Sequence, residues 1–356
     1  MTLNLNKKTY LIAEAGVNHN GSIKIARSLI FYAKKAGADA IKFQLFDADS
    51  MVTKYSTLAP YQKNSNVNSQ YDLIKKLEIN LNFLKAIVSY SKKLNIDFML
   101  SIFDEKSLKL VNSIKYKNYL KIPSGEITNY FLLKKIKLNN YKIILSTGMS
   151  NNSEIVDAIN LIAKKQIYRC INNRVIIINH NHLKKIQDKI VIMHCVTEYP
   201  TKPQYLNLRV INKMKNDFLL NIGFSDHTIG IDAPIAAVYA GAQFVEKHFT
   251  INKKLIGPDH KASINFFELK ELIKKIKIAD EILGKDLKEI QKCEKKNVNI
   301  VRKFLVARNM IKKNQKFSLK NLICKRSNKG VSPMNIKKII GKKAKKNFLK
   351  DEVIKI

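Results

Sequence analysis

The sequence predicts an α/β protein, a (β/α)8 barrel followed by a small β-rich domain. Three observations predict it. Eight short, nearly continuous apolar runs recur between residues 10 and 250, as parallel strands buried on both faces require. Amphipathic stretches with apolar residues at helical spacing separate most of them. Eight such units in about 280 residues suit a closed barrel, and no GxGxxG follows the first run to favour the alternative, a doubly wound open sheet.

Taken in order, the strand-like runs are YLIAEAG (10–16), AIKFQLF (40–46), DFMLSIF (97–103), YLKIPSG (119–125), KIILSTG (142–148), KIVIMHC (189–195), NIGFSD (221–226) and FVEKHFT (244–250). Stretches such as SIKIARSLIFYAKKAG (22–37) and NFLKAIVSYSKKLN (82–95) lie between them and end in Gly or Asn, which suits a helix C-cap. Two connections are long. Residues 47–80 exceed an ordinary βα loop and fall on the catalytic side, where they are expected to form a lid or substrate wall. Residues 166–188 fall on the opposite, stability face, so His180 and His182 read as solvated loop residues and not as a metal pair. The polar stretch KDLKEIQKCEKKNVN (285–299) reads as a linker. It divides a catalytic barrel (1–284) from a small domain (300–356), in which short strands alternate with turn signals.

The formal net charge of +37 raises nucleic-acid binding. The basic residues are nearly all lysine, spread over every expected helix face, and the arginines are confined to Arg27, Arg169, Arg174, Arg209, Arg302, Arg308 and Arg326. Nucleic-acid readers lean on the planar guanidinium fork, so no nucleic-acid partner is expected. A positive field instead favours a small anionic substrate. No apolar run reaches the roughly 18–20 residues of a membrane span, and the N-terminus lacks a signal-peptide pattern; a cytoplasmic protein with no membrane partner is expected. Cys170, Cys195, Cys293 and Cys324 form no CxxC pair and no zinc spacing, so they read as reduced structural thiols.

In such barrels the C-terminal strand ends build the active site. There the sequence offers Glu14, Lys42, Gln44, Lys121, Ser124, Glu126, Ser146, His194, Asp226, His227, Lys247 and His248. A lone buried charge costs several kcal/mol unless paired or used, so this concentration points to a ligand. Lys42 and Lys121 with the hydroxyls of Ser124 and Ser146 make a phosphate cradle. Neighbouring strands are about 5 Å apart, so His227 and His248 could reach one metal ion. Glu14 could orient or deprotonate a water. Plainer readings stand beside these. The histidines could be hydrogen-bonded core residues. Lys42 and Lys121 could form ion pairs with Glu14 and Glu126. Ser146 and Thr147 could cap the next helix. His194 could touch substrate or support a residue that does, His19 could be structural, and His260 could mark substrate choice. Lys247 reads as structural and Cys195 as a packed thiol.

The motifs IAEAGVNHNGS, GADAIKFQ, LKIPSGE, IILSTGM, HCVTEYP, IGFSDHTIGI, VEKHFT and GPDHKAS, in this order and spacing, resemble the N-acetylneuraminate (sialic acid) synthase family. The tail VARNMIKKNQKFSLKNLICKRSNKGVSP is similar to that family's C-terminal antifreeze-like domain (SAF, of β-clip type). The resemblance implies a TIM barrel that condenses phosphoenolpyruvate with open-chain N-acetylmannosamine to give N-acetylneuraminate and phosphate. The alternatives are the same chemistry on the legionaminate precursor or, with less support from GPDHKAS, the pseudaminate precursor; a non-catalytic binding protein is the rival from another class. It implies a divalent metal on His227 and His248, Mn2+ first, with Mg2+ or Co2+ as substitutes. It assigns phosphoenolpyruvate to Lys42, Lys121, Ser124 and Ser146, and water and proton transfer to Glu14 and Glu126. Gln44, Tyr199 and Asp259 are assigned to the sugar, and Thr197 to substrate binding. Arg326, from a partner chain in a domain-swapped homodimer, is assigned to the acetamido group. The family's Lys-Arg-Pro reads Lys-Arg-Ser here, with Ser327 replacing the proline that would preset the loop.

Overall fold

The computed structural model describes residues 8–57 and 69–355. The chain divides into two compact units, Met1–Lys285 and Asp286–Ile356. The first contains β1 (Tyr10–Gly16), α1 (Ile23–Ala36), β2 (Ala40–Leu45), α2 (Ala48–Met51), α3 (Gln70–Leu77), α4 (Leu81–Lys93), β3 (Asp97–Ile102), α5 (Glu105–Ser113), β4 (Tyr119–Ile122), α6 (Tyr130–Lys135), β5 (Lys142–Ser146) and α7 (Asn152–Ala163). It continues with β6 (Tyr168–Ile171), β7 (Arg174–Ile177), α8 (His180–Ile186), β8 (Ile190–Cys195), α9 (Arg209–Phe218), β9 (Asn221–Asp226), α10 (Asp232–Tyr239), β10 (Phe244–His248) and α11 (Phe266–Leu283). Eight parallel strands close in the order β1-β10-β9-β8-β5-β4-β3-β2. These are the eight runs expected from the sequence.

The alternation of side chains along each strand places the site. On β1, Leu11, Ala13 and Ala15 pack outward into the large core shared with the helices, while Ile12 faces the barrel interior. Ile12, Ala40, Met99, Ile144, Val191 and Met193 form an apolar plug in that interior. The inward positions two residues further along are Glu14, Lys42, Ser101, Lys121, Ser146 and Cys195. The side-chain period of two therefore stacks a polar layer directly on an apolar one. Each large apolar side chain in the outer core contributes about 1.5–3 kcal/mol through burial, and this core holds the polar layer in place.

Helix starts follow from local chemistry. Ser22, Asn80, Asp104, Asn151 and Asn265 each accept a backbone N–H of the first turn. Asn151–Glu154 and Asn265–Glu268 form reciprocal capping boxes. Ser146 and Thr147 do not cap α7, as one reading of the sequence had them; Asn151 does, and Thr147 bonds the Met193 carbonyl. β4 stops at Ile122 because Pro123 has no N–H to donate, and residues Ser124–Glu126 turn into a short 3-10 helix.

The segment 166–188 is not a loop. It forms an antiparallel hairpin, β6 with β7, and then α8. Asn172 and Asn173 both have positive φ, 48° and 59°, which suits a two-residue hairpin turn. Buried Asn160 of α7 anchors the hairpin through the N–H groups of Ile167 and Tyr168 and the carbonyl of Tyr168. His180 and His182 open α8, where Asn179 accepts the His182 N–H. Of residues 47–80, α2 and α3 are described and 58–68 lie outside the described residues.

The second unit contains α12 (Lys295–Val301), β11 (Lys303–Ala307) and β12 (Leu322–Arg326). β11 and β12 pair antiparallel around a small core that includes Leu305, Ile311, Phe317, Phe348 and Ile354. α12 begins inside the stretch read as a linker. No helix among the described residues is long and apolar enough to cross a membrane.

Gly223, on the inward face of β9, tests how tightly the plug is packed. A Cβ there would lie 2.8 Å from Phe244 and 3.0 Å from the Met193 Cε. Gly223→Ala is expected to destabilise the barrel by about 1–3 kcal/mol through overpacking, measured as a lowered denaturant midpoint with unchanged slope.

Candidate active site

A cavity of about 270 Å3 opens above the plug. Glu14, Lys42, Gln44, Lys121, Ser124, Ser146, Thr197, Tyr199, His227, His248 and Asp259 all line it. The sequence singled out each of these, and the barrel brings them together. Glu126 is not brought in. It ends the 3-10 turn that sends Ser124 inward; its own carboxylate turns to Asn129, accepting from the amide at 2.7 Å. Arg326 ends β12 in the second unit, where it is exposed.

Charge at the cavity floor is organised by a residue the sequence reading missed. Glu246 accepts from Lys121 Nζ at 3.0 and 2.9 Å and from Ser225 Oγ at 3.0 Å, and Lys42 Nζ lies 3.6 Å away. Lys121 thus pairs with Glu246, not with Glu126 as expected. Lys42 does pair with Glu14, at 2.9 Å, and donates to Ser101 Oγ at 2.7 Å. Gln44 donates to the other Glu14 oxygen at 3.2 Å. Strand alternation carried the signal for Glu246, because it stands two residues before His248 and shares its inward face.

Burial and pairing set the protonation states. Burial raises Glu14 above the ordinary carboxylate range, and its pairing with Lys42 only partly offsets this. Burial also acts on Glu246, but Lys121 and Lys42 overcome it and hold the carboxyl well below that range. Lys42 is penalised by burial yet raised by Glu14 and Glu246. In Lys121 burial prevails over Glu246 and the ammonium is lowered.

His227 and His248 stand at the ends of β9 and β10, with ring centroids 5.8 Å apart. His227 Nδ1 donates to the Val196 carbonyl at 2.6 Å, which leaves the lone pair on Nε2. Tyr199 packs on this ring at 4.1 Å between centroids. Among the described residues His248 Nδ1 is buried without a hydrogen-bond partner, and the Asp259 carboxylate is 3.7 Å away. Burial pushes His227 down to about 3 and also lowers His248. Two neutral imidazoles, one with an orphaned nitrogen, fit a divalent cation of the borderline type that imidazole favours. Among the described residues no cluster of three or more His, Cys, Asp or Glu surrounds a metal position, so water or substrate oxygens would complete the coordination.

The cavity wall around Ser124 and Gly148 is built at close quarters. Ser124 Oγ accepts the Gly148 N–H at 3.0 Å and meets Cys195 Sγ at 3.1 Å. A Cβ at residue 148 would fall 2.3 Å from Thr197 Oγ1 and 2.8 Å from Ser124 Oγ, so only glycine fits. On the other side, Leu73, Ile74 and Leu77 of α3 line the cavity with Phe46 and Met51. The described part of 47–80 thus forms an apolar wall.

The remaining histidines face elsewhere. His194 occupies an outward position of β8, where its Nε2 meets the Leu206 carbonyl at 2.6 Å. His19 is buried against Phe43 and Phe83. His260 is fully buried inside its loop and does not reach the cavity. Lys247, also outward, is neutralised by Asp226, as its structural reading required.

Two expectations follow. Glu246→Ala leaves two buried ammonium groups with one carboxylate, and is expected to lose about 3–5 kcal/mol of stability in denaturant titration. Burial lowers His227 to about 3 and both His19 and His260 to about 4. The unfolded chain therefore binds more protons between pH 6.5 and about 3. Stability of chelator-treated protein should be fully present above pH 6.5 and fall through that window, read as the urea midpoint at successive pH values.

A model described as the NeuB family matches residues 29–288, and one described as the SAF domain matches residues 302–356. N,N'-diacetyllegionaminic acid synthase of Campylobacter jejuni is 44% identical, over 98% of this chain and 99% of that protein. The Legionella pneumophila protein of the same name is 37% identical, over 95% of this chain and 91% of that one. The crystal structure of N-acetylneuraminic acid (sialic acid) synthetase from Leptospira borgpetersenii, in complex with citrate, has a TM-score of 0.68 at 30% identity, covering 84% of this chain and 94% of that one. The chain therefore belongs to the NeuB family, as a transferase of the sialic and legionaminic acid synthase type that carries a C-terminal SAF domain.

Proposed function

We propose that the enzyme condenses phosphoenolpyruvate with the open-chain aldehyde of 2,4-diacetamido-2,4,6-trideoxymannose, giving N,N'-diacetyllegionaminate and phosphate. The resemblance in sequence motifs put N-acetylmannosamine and N-acetylneuraminate first. The relatives at 44% and 37% identity carry the legionaminic acid name, whereas the neuraminate enzyme stands at 30%, and this ordering favours the second sugar. The apolar wall of α3 agrees with it, since a methyl group at C6 suits Leu73, Ile74 and Leu77 better than a hydroxyl does.

The observation that carries the chemistry is the meeting of two lysines, two carboxylates and two neutral imidazoles in one cavity. Lys42 and Lys121, with the Ser124 and Ser146 hydroxyls, hold the phosphate and carboxylate of phosphoenolpyruvate. Gln44, Thr197, Tyr199 and Asp259 hold the sugar with its aldehyde carbon towards C3 of the enol. C3 attacks that carbon and the C–C bond forms; water adds at C2, and the C2–O bond to phosphate breaks with the electron pair leaving on phosphate. Glu14, raised above the ordinary carboxylate range and within reach of Lys42, takes the proton from the attacking water. Glu126 shares this task in the motif resemblance, but its carboxylate is engaged by Asn129, so Glu14 is the residue assigned here. His227 and His248 would hold a divalent cation, Mn2+ or in its place Mg2+ or Co2+, which when bound supplies Lewis acidity to the aldehyde oxygen. Arg326 of a second chain, in a domain-swapped homodimer, would complete the acetamido contacts.

The expected result is a kcat/KM at least tenfold higher for the diacetamido sugar than for N-acetylmannosamine, with the product mass identified directly. The reverse preference returns the neuraminate reading. His248→Ala is expected to keep its circular dichroism spectrum while losing both Mn2+ binding in calorimetry and phosphate release; normal turnover would remove the metal assignment.

A further inference from the structure

The connection from β10 to α11 leaves the barrel at Phe249 and returns at Ile264. Its two ends pair with each other in a parallel bridge, with Thr250 N–H donating to the Ile264 carbonyl at 2.9 Å. Between these ends the chain carries Asp259 into the cavity and turns the next residue, His260, the opposite way. His260 is fully buried, as is Thr250.

Both ring nitrogens of His260 are engaged. Nδ1 lies 2.7 Å from Thr250 Oγ1, and Nε2 lies 3.3 Å from Asn20 Oδ1. Asn20 fixes the direction of these bonds. Its amide Nδ2 donates to the Ile256 carbonyl at 2.9 Å, so its oxygen accepts and His260 Nε2 must carry the proton. Nδ1 is then the acceptor for the Thr250 hydroxyl. The imidazole thus works as a neutral two-ended strut, one end on the start of its own loop and the other on the turn after β1.

The loop is moulded around this ring. A Cβ on Gly257 would meet His260 Cδ2 at 2.7 Å and Asn20 Oδ1 at 2.9 Å, so glycine is required by close approach. A second tie runs parallel to the first. Asn18 donates to Ser263 Oγ at 2.9 Å and to the Phe249 carbonyl at 2.9 Å, and Ser263 Oγ donates to the Asp259 carbonyl at 2.6 Å. Among the described residues the Asp259 carboxylate makes no hydrogen bond of this kind. It lies 3.7 Å from His248 Nδ1 and within 3.5 Å of where a Cβ on Gly16 would stand, and its place is set by the course of its loop. A carboxylate so placed depends on its loop for its aim.

We propose that His260 is the positioning residue for the sugar acceptor: by fastening the loop to Thr250 and Asn20 it sets where the Asp259 carboxylate meets the acceptor, and it does so without touching substrate. This rests on the acceptor role given to Asp259 above. Phosphoenolpyruvate, held by Lys42, Lys121, Ser124 and Ser146, lies outside its influence.

The two bonds can be separated by isosteres. An Asn amide oxygen stands where Nδ1 accepts from Thr250, and a Gln amide nitrogen stands where Nε2 donates to Asn20. The test is steady-state kinetics on the full-length protein, with whichever sugar the wild type turns over as the varied acceptor. His260→Ala is expected to raise the acceptor KM at least tenfold, with the phosphoenolpyruvate KM within threefold of wild type. His260→Asn and His260→Gln should each recover part of that loss. Asn20→Gly supplies the second variant, since residue 20 sits at φ 49°, where glycine is at ease; it removes the outer tie without altering the buried ring and should raise the acceptor KM in the same direction. Melting temperatures taken alongside distinguish loss of fold from loss of aim. Equal rises in both KM values, or an unchanged acceptor KM in Asn20→Gly, would overturn the proposal. Because the sugar is the one that the wild type uses, a neuraminate product would refute the substrate reading and leave this test intact.

Discussion

Four charged side chains share the interior of the barrel, and none is tolerable there without the others. Lys42 and Lys121 are each about 2–3% exposed, Glu14 1% and Glu246 5%. Removing any one leaves an uncompensated charge in a space that water barely reaches. The arrangement exists because the period of a strand is two. The positions that alternate with outer-core residues first supply the apolar plug and then, one step higher, the charged layer. The plug is thus a structural precondition of the site, since it carries the strands at the spacing that lets Nζ and carboxylate atoms meet at 2.9 Å.

The quartet is asymmetric, and the asymmetry has chemical content. Glu246 takes two bonds from Lys121 and one from Ser225, so it is fastened as a permanent counter-ion. Glu14 has one ammonium partner, Lys42 at 2.9 Å on one oxygen, and the neutral Gln44 amide at 3.2 Å on the other. In the proposed reading, an anion entering the cavity competes for Lys42 more readily than for Lys121, which holds both oxygens of Glu246. Glu14 would then lose part of its pairing and be driven further towards the protonated form, the state it reaches on taking the proton assigned to it above. The overall charge of +37 adds a field that draws such anions in.

Much of this was readable before any coordinates. The eight strands, their order and the charged residues at their C-terminal ends followed from the apolar runs, whereas Thr197, Tyr199 and Asp259 came only with the motif resemblance. What the sequence reading missed has a common cause. Glu126 was weighed by nearness to a strand end, whereas the barrel sorts residues by parity. Lys247 and His194 fall on outward positions and are spent on Asp226 and the Leu206 carbonyl, while Glu246 falls on an inward one. Glu126 lies beyond the strand altogether, after a proline that ends it. The hairpin at 168–177 was hidden because an Asn-Asn pair at positive φ is a weaker turn signal than Asn-Gly. The sugar itself was beyond sequence motifs, because the acceptor side of the cavity is built from connections of low periodicity.

That last point separates the site into two halves with different physics. In the proposed reading, the anion-binding half stands mainly on strands, where hydrogen-bonded neighbours on both sides fix Lys42, Lys121 and Ser146, with Ser124 on the short 3-10 turn just beyond β4. The half assigned to the acceptor would be carried by α3, by the chain around Tyr199 and by the β10–α11 connection, where position depends on local ties such as those of Asn18, Asn20 and His260. On that reading, chemistry at the enol phosphate would stay fixed while the connections change, as one barrel framework permits. Leu73, Ile74 and Leu77 line the cavity with apolar side chains that offer no hydrogen bond. If the proposed acceptor lies against that wall, discrimination between a C6 methyl and a C6 hydroxyl would arise from the unmet hydrogen-bonding needs of the hydroxyl. It would not require a residue dedicated to reading C6.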